Sequence, residues 1–381
     1  MGAQRGPVEG LVSGFWQQRR VFLTGHTGFK GSWLTLWLRQ LGAQAAGYAL
    51  PPHTQPNLFE AARVADGLVS TLGDINDLPR LTAALQAQQP EIVFHLAAQS
   101  LVRPSYTDPV GTYSVNALGT ASLLQAVRST PSVRAVVIVT SDKCYENREW
   151  VWPYRENDRL GGHDPYSNSK ACAELITSAF RNSFFPVEKF GEHRVAVASA
   201  RAGNVIGGGD WSLDRLLADI VRAFGTGQTL RIRNPQATRP WQHVLEPLRG
   251  YMMLAEALHR DGPRFSGAWN FGPHYADARP VQWIVEHMAA RWTAHGGSAP
   301  QWEIDAGPHP HEAQMLKLDW TKAAQELGWH PALNLEQALD LTLDWYQSVQ
   351  QGADAHEKCA TQLAAYQARA AASSSGTTPT A

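Results

Sequence analysis

Between Arg20 and about Gly203 short apolar runs alternate with helical stretches, and that alternation leaves the chain very few folds to choose from. "RVFLT" (20–24) is followed by a helix through "GSWLTLWLRQLG". "AQAAGYAL" (43–50) and "GLVSTLGDI" (67–75) read as the next two strands. "EIVFHLAA" (91–98), "RAVVIVTS" (134–141) and "RVAVASARAG" (194–203) supply three more, with helical patterns between them. Such an order predicts an α/β fold with a doubly wound parallel sheet. Ligands of such sheets bind beyond the carboxyl ends of the strands. After about Gly207 the pattern breaks into short elements rich in Trp, Pro, Arg and His, such as "NPQATRPWQHVLEPL" and "AWNFGPHYADARP". The expectation is a first domain over residues 15–205 and a smaller mixed α/β lobe, mainly substrate-binding, over 206–350. Residues 1–14 and 352–381 are expected to be flexible, the latter because "QARAAASSSGTTPTA" is small and polar.

The first turn narrows the fold to a Rossmann type. "VFLTGHTGFKGSW" sets Gly25, Gly28 and Gly31 between the first strand and a helix. Gly25 permits the tight turn, Gly28 lets a pyrophosphate approach the backbone, and Gly31 lets helix and strand pack closely. The second strand ends in "GYALPPHT", without an acid for a ribose or an arginine for a 2′-phosphate. Local chemistry therefore leaves NAD and NADP open. Asp74 could reach the adenine edge or be a solvated turn acid. Trp33 and Trp37, four apart on the first helix, are read as core packing.

A second motif carries chemistry. "HDPYSNSKACAEL" puts Tyr166 and Lys170 four apart, hence on one helical face. A free tyrosine ionises near 10, and a neighbouring ammonium favours the phenolate. Ser141, at the end of the preceding strand, could share the proton of a substrate hydroxyl. Directly after it come Asp142 and Lys143, an acid and an amine where the sheet opens to solvent.

Charge and cysteine use exclude several classes. Lys+Arg number 33 against 34 Asp+Glu, a net charge of −1, which gives no electrostatic support for binding nucleic acid or a membrane surface. The three cysteines, Cys144, Cys172 and Cys359, form no CxxC pair. Residues 1–14 contain no apolar run suited to a signal peptide, and no stretch could span a bilayer. A soluble cytoplasmic protein is expected. His309, His311 and Glu312 in "PHPHE" lack a third rigidly spaced ligand, so no metal is expected.

Taken together, "TGHTGFKG", "HLAAQSLVRPSY", "TSDKCYENREW", "PYSNSKACAE" and "RAGNVIGGGDW" resemble an extended short-chain dehydrogenase/reductase. More narrowly, with "RPWQHVLEPL" and "HPHEA", they are similar to the CDP-glucose 4,6-dehydratases, from about Phe15 to Trp345. The resemblance implies NAD as cofactor, CDP-glucose as substrate, a homodimer or homotetramer, and an internal redox cycle serving deoxysugar and O-antigen biosynthesis. In that cycle Tyr166, helped by Lys170 and Ser141, takes the 4-hydroxyl proton. Asp142 matches the acid acting on the departing 6-hydroxyl. Lys143 stands where dTDP- and GDP-sugar dehydratases carry Glu, and would be the carbon 5 base or else a phosphate ligand or partner of Asp142.

The implied cofactor contacts are Gly25, Thr27, Gly28, Phe29, Lys30 and Gly31 in the first turn. Asp74 and Ile75 follow the third strand, and Leu96, Ala97, Ala98 and Gln99 follow the fourth. Asn116, Tyr166 and Lys170 complete the set. Asn204, Arg215 and Arg239 are the candidates for the substrate's diphosphate and hexose. A nucleotide-sugar 4-epimerase shares the glycine turn and the Ser/Tyr/Lys set but has no need of Asp142 and Lys143. A non-catalytic NAD-binding module would have no need of the whole constellation.

Overall fold

Seven parallel strands form the central sheet of the computed structural model, which describes residues 13–294, 296–305, 307 and 315–374. They are β1 (Arg20–Thr24), β2 (Gln44–Ala49), β3 (Val69–Leu72), β4 (Ile92–His95), β5 (Ala135–Val139), β6 (Ala196–Ala202) and β7 (Gly267–Phe271), in spatial order 7-6-5-4-1-2-3. The order reverses beside β1, so the strand ends on either side diverge and leave a crevice there. The six expected strands are present, β1 with the expected bounds and the other five trimmed by up to a few residues at their ends. The seventh lies in the stretch read as irregular: "GAWNF" pairs with β6, Gly267 opposite Ala198 and Phe271 opposite Ala202. Its shortness and flanking Gly and Pro hid it. Its chain therefore returns from the range given to the smaller lobe.

Alternation along the strands sends side chains to two separate cores. Val21, Leu23, Ile92, Phe94, Val137 and Val139 face one core, while Phe22, Val93, Val136 and Ile138 face the other. The first is covered by α1 (Phe29–Gln40) and by a helix over Leu245–Asp261; the second by helices over Leu78–Gln88, Gly119–Arg128 and Pro165–Ser183. Trp33 and Trp37 are fully buried in the first, and the Trp33 indole N–H donates to Gly208 O at 2.9 Å. A third core joins Leu217, Ile220, Phe224, Ile284, Met288, Leu339 and Leu343 in the smaller lobe.

The expected flexible end is corrected by the structure. Ala355–Ser374 form a 20-residue helix. Cys359, Leu363, Tyr366 and Ala370 recur every three or four residues on its buried face. Tyr366 meets Trp37 edge-on with centroids 5.6 Å apart. Its hydroxyl donates to Glu246 Oε2 at 2.8 Å and accepts from Arg249 Nε at 3.1 Å. Small alanines disguised an amphipathic helix as a tail. At the other end, Ser13–Trp16 make a helical turn with Phe15 and Trp16 buried. His309, His311 and Glu312 of "PHPHE" lie outside the described residues.

Candidate active site

At the carboxyl ends of β1, β4, β5 and β6 a cavity of about 810 Å³ opens, roofed by the segments around Asp210–Asp219 and Leu230–Trp241. Two structures at the strand ends build it.

The first is the turn between β1 and α1. Gly25 has φ +76°, and a Cβ there would stand 2.6 Å from the Ala97 backbone N. At Gly31 a Cβ would stand 2.1 Å from the Gly25 carbonyl oxygen. Both glycines are demanded by the fold itself. Gly28 is different: a Cβ there would touch only the Gly25 oxygen, at 3.4 Å. The polypeptide leaves room for a side chain at Gly28, so the glycine is explained by what must approach from the cavity. Gly28 is also the N-cap of α1 and supplies no side-chain cap, and the first residues of that helix, Phe29, Lys30 and Gly31, line the cavity with it. A dinucleotide pyrophosphate fits this cradle. Thr27 donates to Leu50 O at 2.8 Å, fixing the turn against the end of β2. Phe29, Lys30, Asp74, Ile75, Leu96, Ala97, Ala98 and Gln99, the other residues given to the cofactor, all reach the cavity wall.

Asn116 does not. It sits in a π-helical turn, Ser114–Leu118, and is buried off the wall. Its amide accepts from Gln99 N at 2.9 Å and donates to Gln99 O at 2.9 Å and Ser169 Oγ at 2.8 Å. It holds the Gln99 backbone in place without facing the cavity.

The second structure is the turn that leaves β5. Ser141, Asp142, Tyr166 and Lys170 are all buried side by side, and Lys143 lines the cavity next to them. Tyr166 and Lys170 come from the helix Pro165–Ser183, capped by Asp164, which accepts from Ser167 N at 2.9 Å. Ser141 Oγ donates to Asp142 Oδ1 at 3.0 Å and accepts from Lys143 N at 3.2 Å. Asp142 Oδ2 is buried with no hydrogen-bond partner among the described residues. Burial pushes the Asp142 carboxyl above the usual range, against the pull of Lys143 and the Ser141 hydrogen bond. A carboxyl so placed holds its proton more tightly than a solvated one, in the direction that suits an acid.

Lysine acts on tyrosine differently from the sequence-based expectation. Burial raises Tyr166 above the ordinary phenol value, and Arg215 with a hydrogen bond to Ser141 opposes it. Lys170 instead donates to Val139 O at 3.5 Å and is itself pulled down to about 8 by burial, with Glu174 acting to keep it charged. Glu174, one turn along the same helix, belongs to a buried network. It accepts from Thr140 Oγ1 at 2.5 Å, Ser199 Oγ at 2.6 Å and Arg201 Nη2 at 2.8 Å. Thr140 is the neighbour of Ser141, so the Glu174–Arg201 pair clamps the base of the catalytic turn.

The roof contributes cations. Arg215 and Arg239 line the cavity with Asn204, and Arg239 is near enough to Asp142 to favour its carboxylate. Arg215 also donates to Ser100 O at 2.9 Å, tying roof to floor. Arg103 and Arg233 reach the same wall, and each pairs with Asp214, at 3.1 and 3.6 Å. Sequence reasoning passed over both. Arg233 lies in "LRIRNP", where alternation separates it from nothing that marks a site. Lys30 extends from α1 to lie 5.9 Å from the Tyr251 ring centroid. Its pKa falls to about 7 through burial and the proximity of Arg215 and Lys170.

Comparison with known proteins agrees with this arrangement. Residues 22–342 match the model of the family described as GDP-mannose 4,6 dehydratase. Over 340 residues the chain is 54% identical to the CDP-glucose 4,6-dehydratase of Salmonella typhimurium, covering 89% of this chain and 94% of that one. It is 24% identical to the UDP-glucose 4-epimerase of Mycolicibacterium smegmatis, covering 87% and 100%. Among solved structures, the dTDP-glucose 4,6-dehydratase of Bacillus anthracis in complex with NAD superposes with a TM-score of 0.71 at 21% identity, covering 87% and 99%.

Proposed function

The chain belongs to the family described as GDP-mannose 4,6 dehydratase, and on that premise we propose that it is a CDP-glucose 4,6-dehydratase. It converts CDP-glucose to CDP-4-keto-6-deoxyglucose and water. The observation that carries this reading within the family is the buried Asp142 carboxyl, with one oxygen unpartnered among the described residues, beside Ser141 and Tyr166. An epimerase needs no such acid. The 54% identity to a CDP-glucose 4,6-dehydratase supports the substrate.

The glycine cradle suits NAD, which when bound accepts hydride from carbon 4 and returns it to carbon 6. Tyr166 takes the 4-hydroxyl proton, with Ser141 holding that hydroxyl and Lys170 the sugar-facing side of the cofactor site. The ketone acidifies the proton on carbon 5. Lys143 removes that proton while Asp142 protonates the 6-hydroxyl, and water leaves. Burial that raises the Asp142 pKa supports its role. Arg215 and Arg239, with Asn204, suit the diphosphate and hexose. The proposal includes a cofactor domain over 15–205 and a mainly substrate-binding lobe over 206–350, with β7 belonging to the sheet of the first.

A homo-oligomer is part of the proposal. Val110, Leu118 and Leu175 lie 78%, 61% and 59% exposed on the segment before the Gly119–Arg128 helix and on the Tyr166 helix. Apolar residues so placed suit a dimer interface. A cytoplasmic role in deoxysugar and O-antigen biosynthesis fits the reaction. No helix among the described residues is long and apolar enough to cross a membrane.

The test is to incubate the protein with NAD and separately with CDP-, dTDP-, GDP- and UDP-glucose, and to follow the alkaline ultraviolet signature of a 4-keto-6-deoxy sugar. Signal with CDP-glucose alone is expected. Signal with another nucleotide keeps the chemistry and overturns the substrate. Galactose configuration without ketosugar overturns both.

A further inference from the structure

A cavity that takes CDP-glucose must tell cytosine from uracil, and the two rings differ on one edge. Cytosine carries an amino group at C4 and a bare N3. Uracil carries a carbonyl oxygen at C4 and an N3–H. A side chain that only accepts hydrogen bonds separates them, because it pairs with the amino group but meets a second acceptor at the uracil O4. An ionised carboxylate is such a group.

The hexose belongs at Ser141, Asp142 and Tyr166, the cofactor at the glycine turn, and the diphosphate at Arg215 and Arg239. The nucleoside then extends past Arg215, the N-cap of the helix Leu216–Thr226, toward the strand Leu230–Ile232. Leu216, Leu217, Leu230, Ile232 and Val281 line this end of the cavity and offer apolar walls to the faces of a ring. Among the described residues, one carboxylate lines it with them, that of Asp219. Asp219 lies one turn beyond Arg215, roughly 6 Å along the helix axis, which leaves room for a ribose between phosphate and base. Its Oδ1 accepts from Arg222 Nη1 at 2.7 Å, and Arg222 is anchored in turn by donating to Trp211 O at 3.1 Å. The carboxylate is thus fixed through one oxygen while 33% of the side-chain surface stays accessible. The other acids of the cavity are engaged elsewhere. Asp142 belongs to the catalytic turn, Asp74 accepts from Asn76 N at 2.9 Å, Asp210 accepts from Ser212 N at 3.1 Å, and Asp214 pairs with Arg103 and Arg233.

We propose that Asp219 selects the base of the substrate, its carboxylate accepting from the amino group of cytosine and standing against O4 of uracil or thymine. The inference rests on the dehydratase reading above and deepens it. Selection works in both directions. With cytosine the carboxylate gains a charge-assisted hydrogen bond in a partly desolvated place. With uracil two acceptors face one another, and each loses water without gaining a partner. Asn234 lines the same end of the cavity and brings an amide able to donate to O2 or N3 of the ring.

The test has two arms. The first uses the wild-type protein with NAD and three substrates that differ at C4 of the base. CDP-glucose carries the amino group, UDP-glucose an oxygen, and the glucose ester of 2-pyrimidinone riboside diphosphate only hydrogen. From CDP-glucose to the hydrogen form kcat/KM should fall by about 10-fold or more, chiefly through KM. UDP-glucose should be poorer still, because it adds an acceptor. A hydrogen form as good a substrate as CDP-glucose overturns the proposal.

The second arm is Asp219→Asn, whose amide can donate to O4. Its kcat/KM for CDP-glucose should fall by about 10- to 100-fold while that for UDP-glucose rises. Stabilisation against heat by NAD should match the wild type, since Asp219 lies at the nucleoside end. A ratio of CDP-glucose to UDP-glucose turnover equal in variant and wild type overturns the proposal. The first arm decides the case if the variant does not fold. Wild-type protein that makes no ketosugar from CDP-glucose would instead overturn the functional reading beneath, and equal wild-type turnover of CDP- and UDP-glucose would overturn the cytosine in that reading.

Discussion

The two turns that floor the cavity are built on opposite principles. The turn after β1 is made of backbone: Gly25 and Gly31 are there because no Cβ fits, and Gly28 because a ligand must. The turn after β5 is made of side chains whose protons are set by burial, Asp142 held up and Lys170 held down. The first needs only local geometry. The second depends on what covers it, including Glu174, Arg201 and the roof. A cofactor site can thus be specified within a dozen residues, whereas an acid–base site must be assembled from distant parts of the chain.

The sharpest way to test that contrast is to remove one proton. Asp142→Asn preserves size and the Ser141 contact but cannot serve as an acid, so kcat should fall by about 10²- to 10⁴-fold. The glycine turn is untouched, and NAD should stabilise the variant against heat as it does the wild type. Loss of both activity and NAD-dependent stabilisation would mean that the two turns are not separable.

Next comes the support beneath the catalytic turn. Glu174 and Arg201 are each 3% exposed at the side chain and 2.8 Å apart. Glu174→Gln leaves a buried guanidinium without its counter-charge and should cost about 3–5 kcal/mol, read by urea unfolding. Removing both charges in Glu174→Gln/Arg201→Met should recover part of that loss. A double variant as unstable as the sum of the singles would show that the pair is not coupled.

Within the glycine turn the effects should divide. Gly31→Ala drives a methyl into the Gly25 carbonyl and should destabilise the cofactor-free protein by about 1–3 kcal/mol. Gly28→Ala fits the polypeptide and should leave that stability nearly unchanged while abolishing stabilisation by NAD. Equal behaviour of the two variants would contradict the division of labour drawn from their Cβ contacts.

The same contrast governs what could be read from the sequence. The glycine turn, the six strands and the placing of Tyr166 and Lys170 on one buried helical face were legible because each rests on short-range spacing. The direction of the Tyr166 shift was not, because burial by the assembled fold outweighs any single neighbour. Asn116 was placed on the cavity by resemblance, yet its amide is spent on Gln99 and Ser169. β7 escaped because five residues between Gly and Pro carry little pattern. The helix Ala355–Ser374 escaped because its buried stripe is diluted by alanine, and its anchors, Glu246 and Arg249, lie over a hundred residues away.

The last expectation concerns a buried titratable group outside the catalytic turns. His243 is fully buried, with Nδ1 accepting from Leu245 N at 3.4 Å and Nε2 unpartnered among the described residues. It meets Trp33 edge-on, with ring centroids 6.4 Å apart. Burial lowers its pKa to about 3, against 6.5 for a free imidazole. Between those values the unfolded chain binds a proton that the folded protein refuses. Stability therefore rises with pH through that window and is lost as pH falls below 6.5, by about 1.4 kcal/mol for each unit. His243→Gln removes the titration and should flatten the dependence of urea midpoint on pH between about 6.5 and 4.5 by that slope. His26 and His95, with pKa values lowered by burial to about 4 and about 3, keep part of the acid sensitivity in either protein. An unchanged slope in the variant would mean that His243 accepts its proton in the folded state, through an opening of the Trp33 contact that the packed structure does not contain.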